Sequence, residues 1–262
     1  MKNIKRLMTA FLAMVLLFSG AGGVLMAAAE ETVPEKWEEN VLVQEPFAVF
    51  GVEPKVIKSV TFLDSMDEVP EIAWNMGKTN VESVKAWFQW EADGGHVFFA
   101  ADGGINGKDC AKSLFEDMEN LTEVNFNGAF HTEQVEYMTA MFYNCKNLEK
   151  VDVSTLNTQS AECFYRMFKN CRKLTELDLS GFDTAKVTNM SQMFFGCKNL
   201  KTVNVAGWNT EKVTTMETMF LGCQNLEEPD FTGWNVESVQ HWYGFLDSGK
   251  TVNGEAWRKL FQ

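Results

Sequence analysis

Histidine is nearly absent, with three residues in 262. That leaves little room for histidine general-base catalysis, for a nucleophile–histidine pair or for zinc held by imidazole. Proline is almost as sparse: four of the five (Pro34, Pro46, Pro54, Pro70) fall between residues 34 and 70. Cationic residues are in deficit, 23 Lys and Arg against 36 Asp and Glu, for a formal net charge of −13. A chain of that sign is a poor partner for nucleic-acid phosphates and for anionic lipid. G-x-S-x-G and H-E-x-x-H are missing, and no two cysteines stand as C-x-x-C, so neither a catalytic residue nor a metal site nor a cofactor is expected.

What is present is an ordinary globular balance, 45% hydrophobic and 23% charged, with 21 Phe and 8 Trp to fill a core. The N-terminus carries Lys2, Lys5 and Arg6, then the apolar run from Leu7 to Phe18, and ends in Ala27-Ala28-Ala29 before Glu30 and Glu31. This is the layout of a secretory signal peptide over residues 1–29, cleaved after Ala29. Its removal takes away three basic and no acidic residues, leaving a mature charge of −16. No second long apolar segment follows, so no transmembrane segment is expected in the mature chain.

Residues 30–56, acidic at first and proline-containing, are expected to be an extended lead-in. A small β-rich unit is expected over 57–110: Ile57–Phe62 alternates at period two, and Ser83–Trp90 and His96–Ala101 are further strand candidates around the turn-like Asp93-Gly94-Gly95. From there a repeat takes over. Cys145, Cys171, Cys197 and Cys223 are spaced 26 apart, as are Leu148, Leu174, Leu200 and Leu226 and the pairs beginning at Met141, Met167, Met193 and Met219. A degenerate copy precedes them at Leu114-Phe115, Met118 and Leu121. The period predicts an α/β repeat fold, a solenoid of stacked units. Each unit would contribute a parallel strand from L-x-x-L-x-L and a short helix or 3-10 turn from the Val187/Met190/Met193 spacing. About five units would occupy 111–247, with a C-terminal cap over 248–262.

Read from Leu174 to Leu200, L-x-x-L-D-L-S-G-F-D-T-x-x-V-T-N-M-S-x-M-F-x-G-C-x-N-L resembles the leucine-rich repeats of the BspA-like family, also described as the DUF285 type. Ser59–Asp64 and Ala100–Gly104 resemble the segment that precedes these repeats in bacterial surface proteins of that family. The likeness spans roughly residues 57–247. It implies a leucine-rich-repeat solenoid on an exported protein that contacts host or neighbouring-cell proteins, matrix proteins or glycans; with the catalytic motifs missing, the protein is expected to be non-catalytic. Family members are often longer, with a wall anchor; here no sorting motif or hydrophobic tail closes the chain. Secretion is therefore the expectation, with surface association beside it. An envelope component that self-associates through uncovered ends is the alternative, and a secreted carbohydrate-active enzyme a remoter one.

The candidate contact surface is a column of outward strand positions, Asn125, Asp152, Asp178, Asn204 and Asp230, with Glu176 and Glu228 beside it. On a concave face it would offer an acidic, hydrogen-bonding strip to a basic patch, a glycan or a divalent cation; the plain alternative is a solvated face. The cysteines fit an interior ladder of thiols, with disulfides inside the ladder or between Cys163 and Cys171 as the alternative; Cys110 stands apart. Phe182, Trp208 and Trp234 share one repeat position and are expected to pack at the strand-to-helix turn, or else to form an exposed stripe for sugars. Gly244–Thr251 spells G-x-x-x-x-G-K-[ST] but follows the polar, aromatic Gln240–Tyr243 rather than a buried strand, so a turn is expected there and not a phosphate loop.

Overall fold

The computed structural model describes residues 46–78, 83–108, 111–227 and 229–246. The expected signal peptide, the lead-in up to residue 45, Cys110, Glu228 and the expected cap over 248–262 lie outside the described residues. Among the described residues nine short strands are formed: β1 (Ile57–Leu63), β2 (Trp74–Asn75), β3 (Lys85–Glu91), β4 (Gly94–Ala100), β5 (Ile105–Asn106), β6 (Glu123–Asn125), β7 (Phe130–His131), β8 (Glu176–Asp178) and β9 (Thr202–Asn204).

Alternation builds the N-terminal sheet, ordered β2-β3-β4-β1-β6. β3 and β4 pair as an antiparallel hairpin closed at Glu91↔Gly94, while β1 runs parallel to both β4 and β6. Val60 and Phe62 on β1, Val97 and Phe99 on β4 and Ala86 on β3 are fully buried, because every second residue points to the same face. Residues 46–56, expected to be extended, instead form two 3-10 turns, Pro46–Phe50 and Pro54–Val56. The tight turn brings Phe47 and Phe50, three residues apart, onto one side, where they close the sheet's apolar face. Phe47 meets Phe99 edge-on at 5.4 Å, and Phe50 meets Trp74 at 5.2 Å.

The α/β repeat solenoid is not what the rest of the chain builds. Among the described residues there is no α-helix, and the two 3-10 turns just named lie before the repeats. The sheets are small, mixed and separate rather than one closed parallel ribbon. L-x-x-L-x-L positions form strands at β6, β8 and β9, but residues 151–153 and 229–231 do not. Proline removes a ladder donor at the latter.

The segments expected to be helical are chains of three-residue turns, for a readable physical reason. Ala140 (φ 56°), Asn144 (61°), Arg166 (60°), Asn170 (63°), Gln192 (60°) and Thr218 (50°) take the left-handed region, which breaks a right-handed helix wherever it occurs. Gly196 (φ 73°) takes it too, and a Cβ there would run into the Asn170 side chain of the preceding unit. Alternate backbone N–H groups close turns within the unit, as from Tyr143 to Ala140 O (3.0 Å). The others reach the next unit, as from Phe142 to Met167 O (2.8 Å), Phe168 to Met193 O (2.9 Å) and Phe194 to Met219 O (2.9 Å). Parallel bridges Tyr137↔Cys163, Cys163↔Asn189, Asn189↔Thr215 and Thr215↔His241 keep the same 26-residue register.

Like side chains therefore stack on like. Phe142, Phe168, Phe194 and Phe220 form a near-parallel pile with centroid separations of 5.1, 5.9 and 5.0 Å. Burial of each ring contributes about 1.5–3 kcal/mol, and ring stacking about 0.5–1.5 kcal/mol more per pair, so burial dominates. Cys145, Cys171, Cys197 and Cys223 are free and buried, in the ladder arrangement their spacing suggested; Cys163 is free and half-buried. Their thiols donate to Phe115, Phe142, Phe168 and Phe194 carbonyls at 3.0–3.1 Å. Burial pushes the Cys145, Cys171 and Cys197 thiols well above the ordinary range.

A threonine ladder runs beside them. Thr132, Thr158, Thr184 and Thr210 are buried, and each hydroxyl donates to a carbonyl of the next unit (Asn157, Asp183, Asn209, Asn235) at 2.8–3.0 Å.

A candidate interaction groove

The alternation in β8 and β9 turns Leu177 and Val203 inward and leaves Glu176, Asp178, Thr202 and Asn204 on the exposed side. β8 pairs with β9 in parallel register, Glu176↔Thr202 and Asp178↔Asn204, so equivalent side chains lie about 4.8 Å apart across the strands. The flanking units add Lys150, Val151 and Asp152 on one side and Glu227, Pro229 and Asp230 on the other. Together they line an open groove of about 640 Å³. Its charged rim holds five carboxylates (Asp152, Glu176, Asp178, Glu227, Asp230) against two ammonium groups (Lys150, Lys201).

The strip side chains are fixed by local turns. Asp152 Oδ1 accepts from Ser154 N (2.9 Å), Asn204 Oδ1 from Ala206 N (3.2 Å) and Asp230 Oδ1 from Thr232 N (2.9 Å). Asp178 Oδ1 takes both Ser180 N (3.0 Å) and Ser180 Oγ (2.7 Å). Hydrogen bonds from Ser154 and Thr232, side chain then backbone, hold Asp152 and Asp230 below the usual carboxylate range; the Ser180 backbone and then its hydroxyl do the same for Asp178. The three aspartates are therefore ionised at neutral pH. Asn204 makes the same turn without the charge.

Of the strip residues expected from sequence, the fold brings Asp152, Asp178, Asn204, Asp230 and Glu176 together along the groove. It does not bring Asn125, because β6 pairs with β1 and Asn125 lies opposite Thr61 in the N-terminal sheet. Glu228 lies outside the described residues. Sequence reasoning missed Lys201 and Glu227, although they stand 26 apart in one repeat position. Phe182, Trp208 and Trp234 are buried rather than an exposed stripe; Trp208 and Trp234 stack at 5.8 Å, and Trp208 Nε1 donates to Leu179 O (2.9 Å). In the G-x-x-x-x-G-K-[ST] stretch, Gly244 lies within a turn closed by Phe245 N and Trp242 O, and everything past Leu246 lies outside the described residues.

Away from the groove, the β3–β4 hairpin gathers Glu91, Asp93 and His96, whose ligand atoms all lie within 4.8 Å of one another. His96 Nδ1 shares a hydrogen bond with Ser59 Oγ (2.7 Å), and its Nε2 lies 3.2 Å from Asp93 Oδ1, which holds the Asp93 carboxyl down. These are the groups among the described residues that could hold a metal ion. Nothing in the sequence marked them, since the three come together only when the hairpin closes.

The family model described as "Mycoplasma protein of unknown function, DUF285" matches residues 110–204 and, overlapping them, 162–258. Comparison with curated proteins and with solved structures gives no match.

Proposed function

Since the chain belongs to the DUF285 family, we propose that it is a non-catalytic contact protein of the BspA-like branch, exported from the cell and either secreted or held at its surface. It binds other macromolecules, host or neighbouring-cell proteins, matrix proteins or glycans, through the groove across β8 and β9. The observation that carries this reading is a coincidence of two independent lines. The outward column read from the repeat, Asp152, Asp178, Asn204 and Asp230, lines the groove that the fold creates. Repeated units suit the task, because outward residues vary without disturbing the inward columns. The signal-peptide layout of residues 1–29 supports export. The finer BspA-like assignment rests on the motif from Leu174 to Leu200.

The test is a binding screen of the mature protein against matrix proteins and glycans, with and without Ca²⁺, beside a D152N/D178N/D230N variant. Asn keeps the turn acceptor, as Asn204 shows, so the variant folds while losing three charges. Hits that weaken at least roughly tenfold, about 1.4 kcal/mol, support the reading. Hits that bind the variant as tightly as the parent count against the groove.

A further inference from the structure

A second feature lies in the turn segments rather than on the groove strands. Arg166 Nε donates to Gln192 Oε1 at 3.0 Å, and Lys169 Nζ donates to the same oxygen at 2.7 Å. One neutral amide oxygen therefore gathers two full positive charges. Neither cation pairs with a carboxylate among the described residues, although Lys146 pairs with Glu119 and Lys173 with Glu149 close by in sequence. Burial and the neighbouring Arg166 charge hold Lys169 below the ordinary lysine range, the mark of a cation short of a counter-charge. In a chain with a 13-charge acidic excess, that is an unusual place to leave two cations unpaired.

The surroundings say what kind of counter-charge fits. Lys169 Nζ lies 4.6 Å from the Phe195 ring centroid and 5.8 Å from that of Tyr143, and the Arg166 guanidinium sits 4.5 Å over Tyr165. All these side chains are half-buried, so the cations are partly desolvated yet reachable. Arg166 spends only Nε on Gln192, and its two Nη groups have no partner among the described residues. A guanidinium fork of that kind matches two oxygens of one carboxylate or sulfate. The chain's acidic excess repels a polyanion, which favours a ligand with a single charge. The flat apolar rings beside the cations suit the C–H face of a sugar.

We propose that Arg166, Lys169 and Gln192, flanked by Tyr143, Tyr165 and Phe195, form a binding site for one oxyanion, the carboxylate or sulfate of an acidic sugar. The ligand replaces part of the lost hydration of both cations and relieves their mutual repulsion. The site shares no residue with the groove, so the two stand or fall separately.

The experiment is an NMR titration of the mature protein at constant ionic strength. The probes are glucuronate, galactose 6-sulfate, glucose and an N-acetylated triglutamate peptide. Expected are saturable shifts at Arg166, Lys169 and Gln192 with either acidic sugar, a rise of the Lys169 pKa on binding, and no response to glucose. K169Q weakens binding at least roughly tenfold; R166K, which keeps charge but loses the fork, weakens it less and keeps the fold. Absence of a saturable response, or a K169Q titration that overlays the parent's, overturns the site. Tighter binding of triglutamate than of both sugars overturns the assignment to an acidic sugar.

Discussion

At the scale of single residues, the cysteines and threonines that recur every 26 positions donate to backbone carbonyls of the neighbouring unit. Cys197 is an instance: its thiol fills a small buried slot and donates to the Phe168 carbonyl. The cysteine column was legible in the sequence because one small, apolar residue type kept strict period. The threonine column was not, although Thr184 stands in the same motif. A threonine after Gly-Phe-Asp reads as a turn former, and only the stacked fold shows its hydroxyl crossing to Asn209. The thiols give a direct check. Among the five described cysteines, a disulfide-exchange reagent at pH 8 is expected to react with the folded protein first at half-buried Cys163, while Cys145, Cys171, Cys197 and Cys223 stay protected until denaturant is added. Labelling all five at one rate would contradict the buried ladder.

At the scale of elements, the strands of the N-terminal sheet were readable because alternation has a single meaning when turns bound it. The Met-x-x-Met-Phe segments were not, since a spacing of three suits a helix and a chain of three-residue turns equally. The deciding residues, Ala140, Arg166, Gln192 and Thr218, carry no glycine signal, so nothing local announces their left-handed backbone. The gain from that geometry is lateral: alternate N–H groups bond to the next unit instead of along a helix. The strength of these cross-unit ties can be measured at Thr184. Thr184→Val keeps the shape but removes the buried hydroxyl that donates to the Asn209 carbonyl, and is expected to cost about 1–2 kcal/mol in urea unfolding with an unchanged m value. Thr188→Val, whose exposed hydroxyl makes a longer bond at 3.3 Å, is expected to stay within about 0.5 kcal/mol. Equal costs at both positions would mean that the buried ladder adds nothing special.

At the scale of the whole molecule, interior and exterior follow different rules. Inward positions repeat Phe, Met, Cys and Thr almost unchanged, while outward the near-constant column Asp152, Asp178, Asn204 and Asp230 runs beside one that changes from unit to unit, Lys150, Glu176 and Thr202. That freedom is what a contact surface needs. The acidic excess, which from composition alone only disfavoured phosphate and lipid partners, is partly placed by the fold on the rim of one groove. The strip was legible from the repeat except at its N-terminal end. There Asn125 belongs to a sheet organised around β1, a pairing between segments more than 60 residues apart that no local pattern announces.

Hydrogen–deuterium exchange of the mature protein, alone and saturated with a partner found in the screen, tests the groove most directly. The account predicts slowed exchange at residues 150–152, 176–178 and 202–204 with little change in the β3–β4 hairpin. Protection confined to the hairpin or the N-terminal sheet, with the groove strands exchanging as in the free protein, would contradict it.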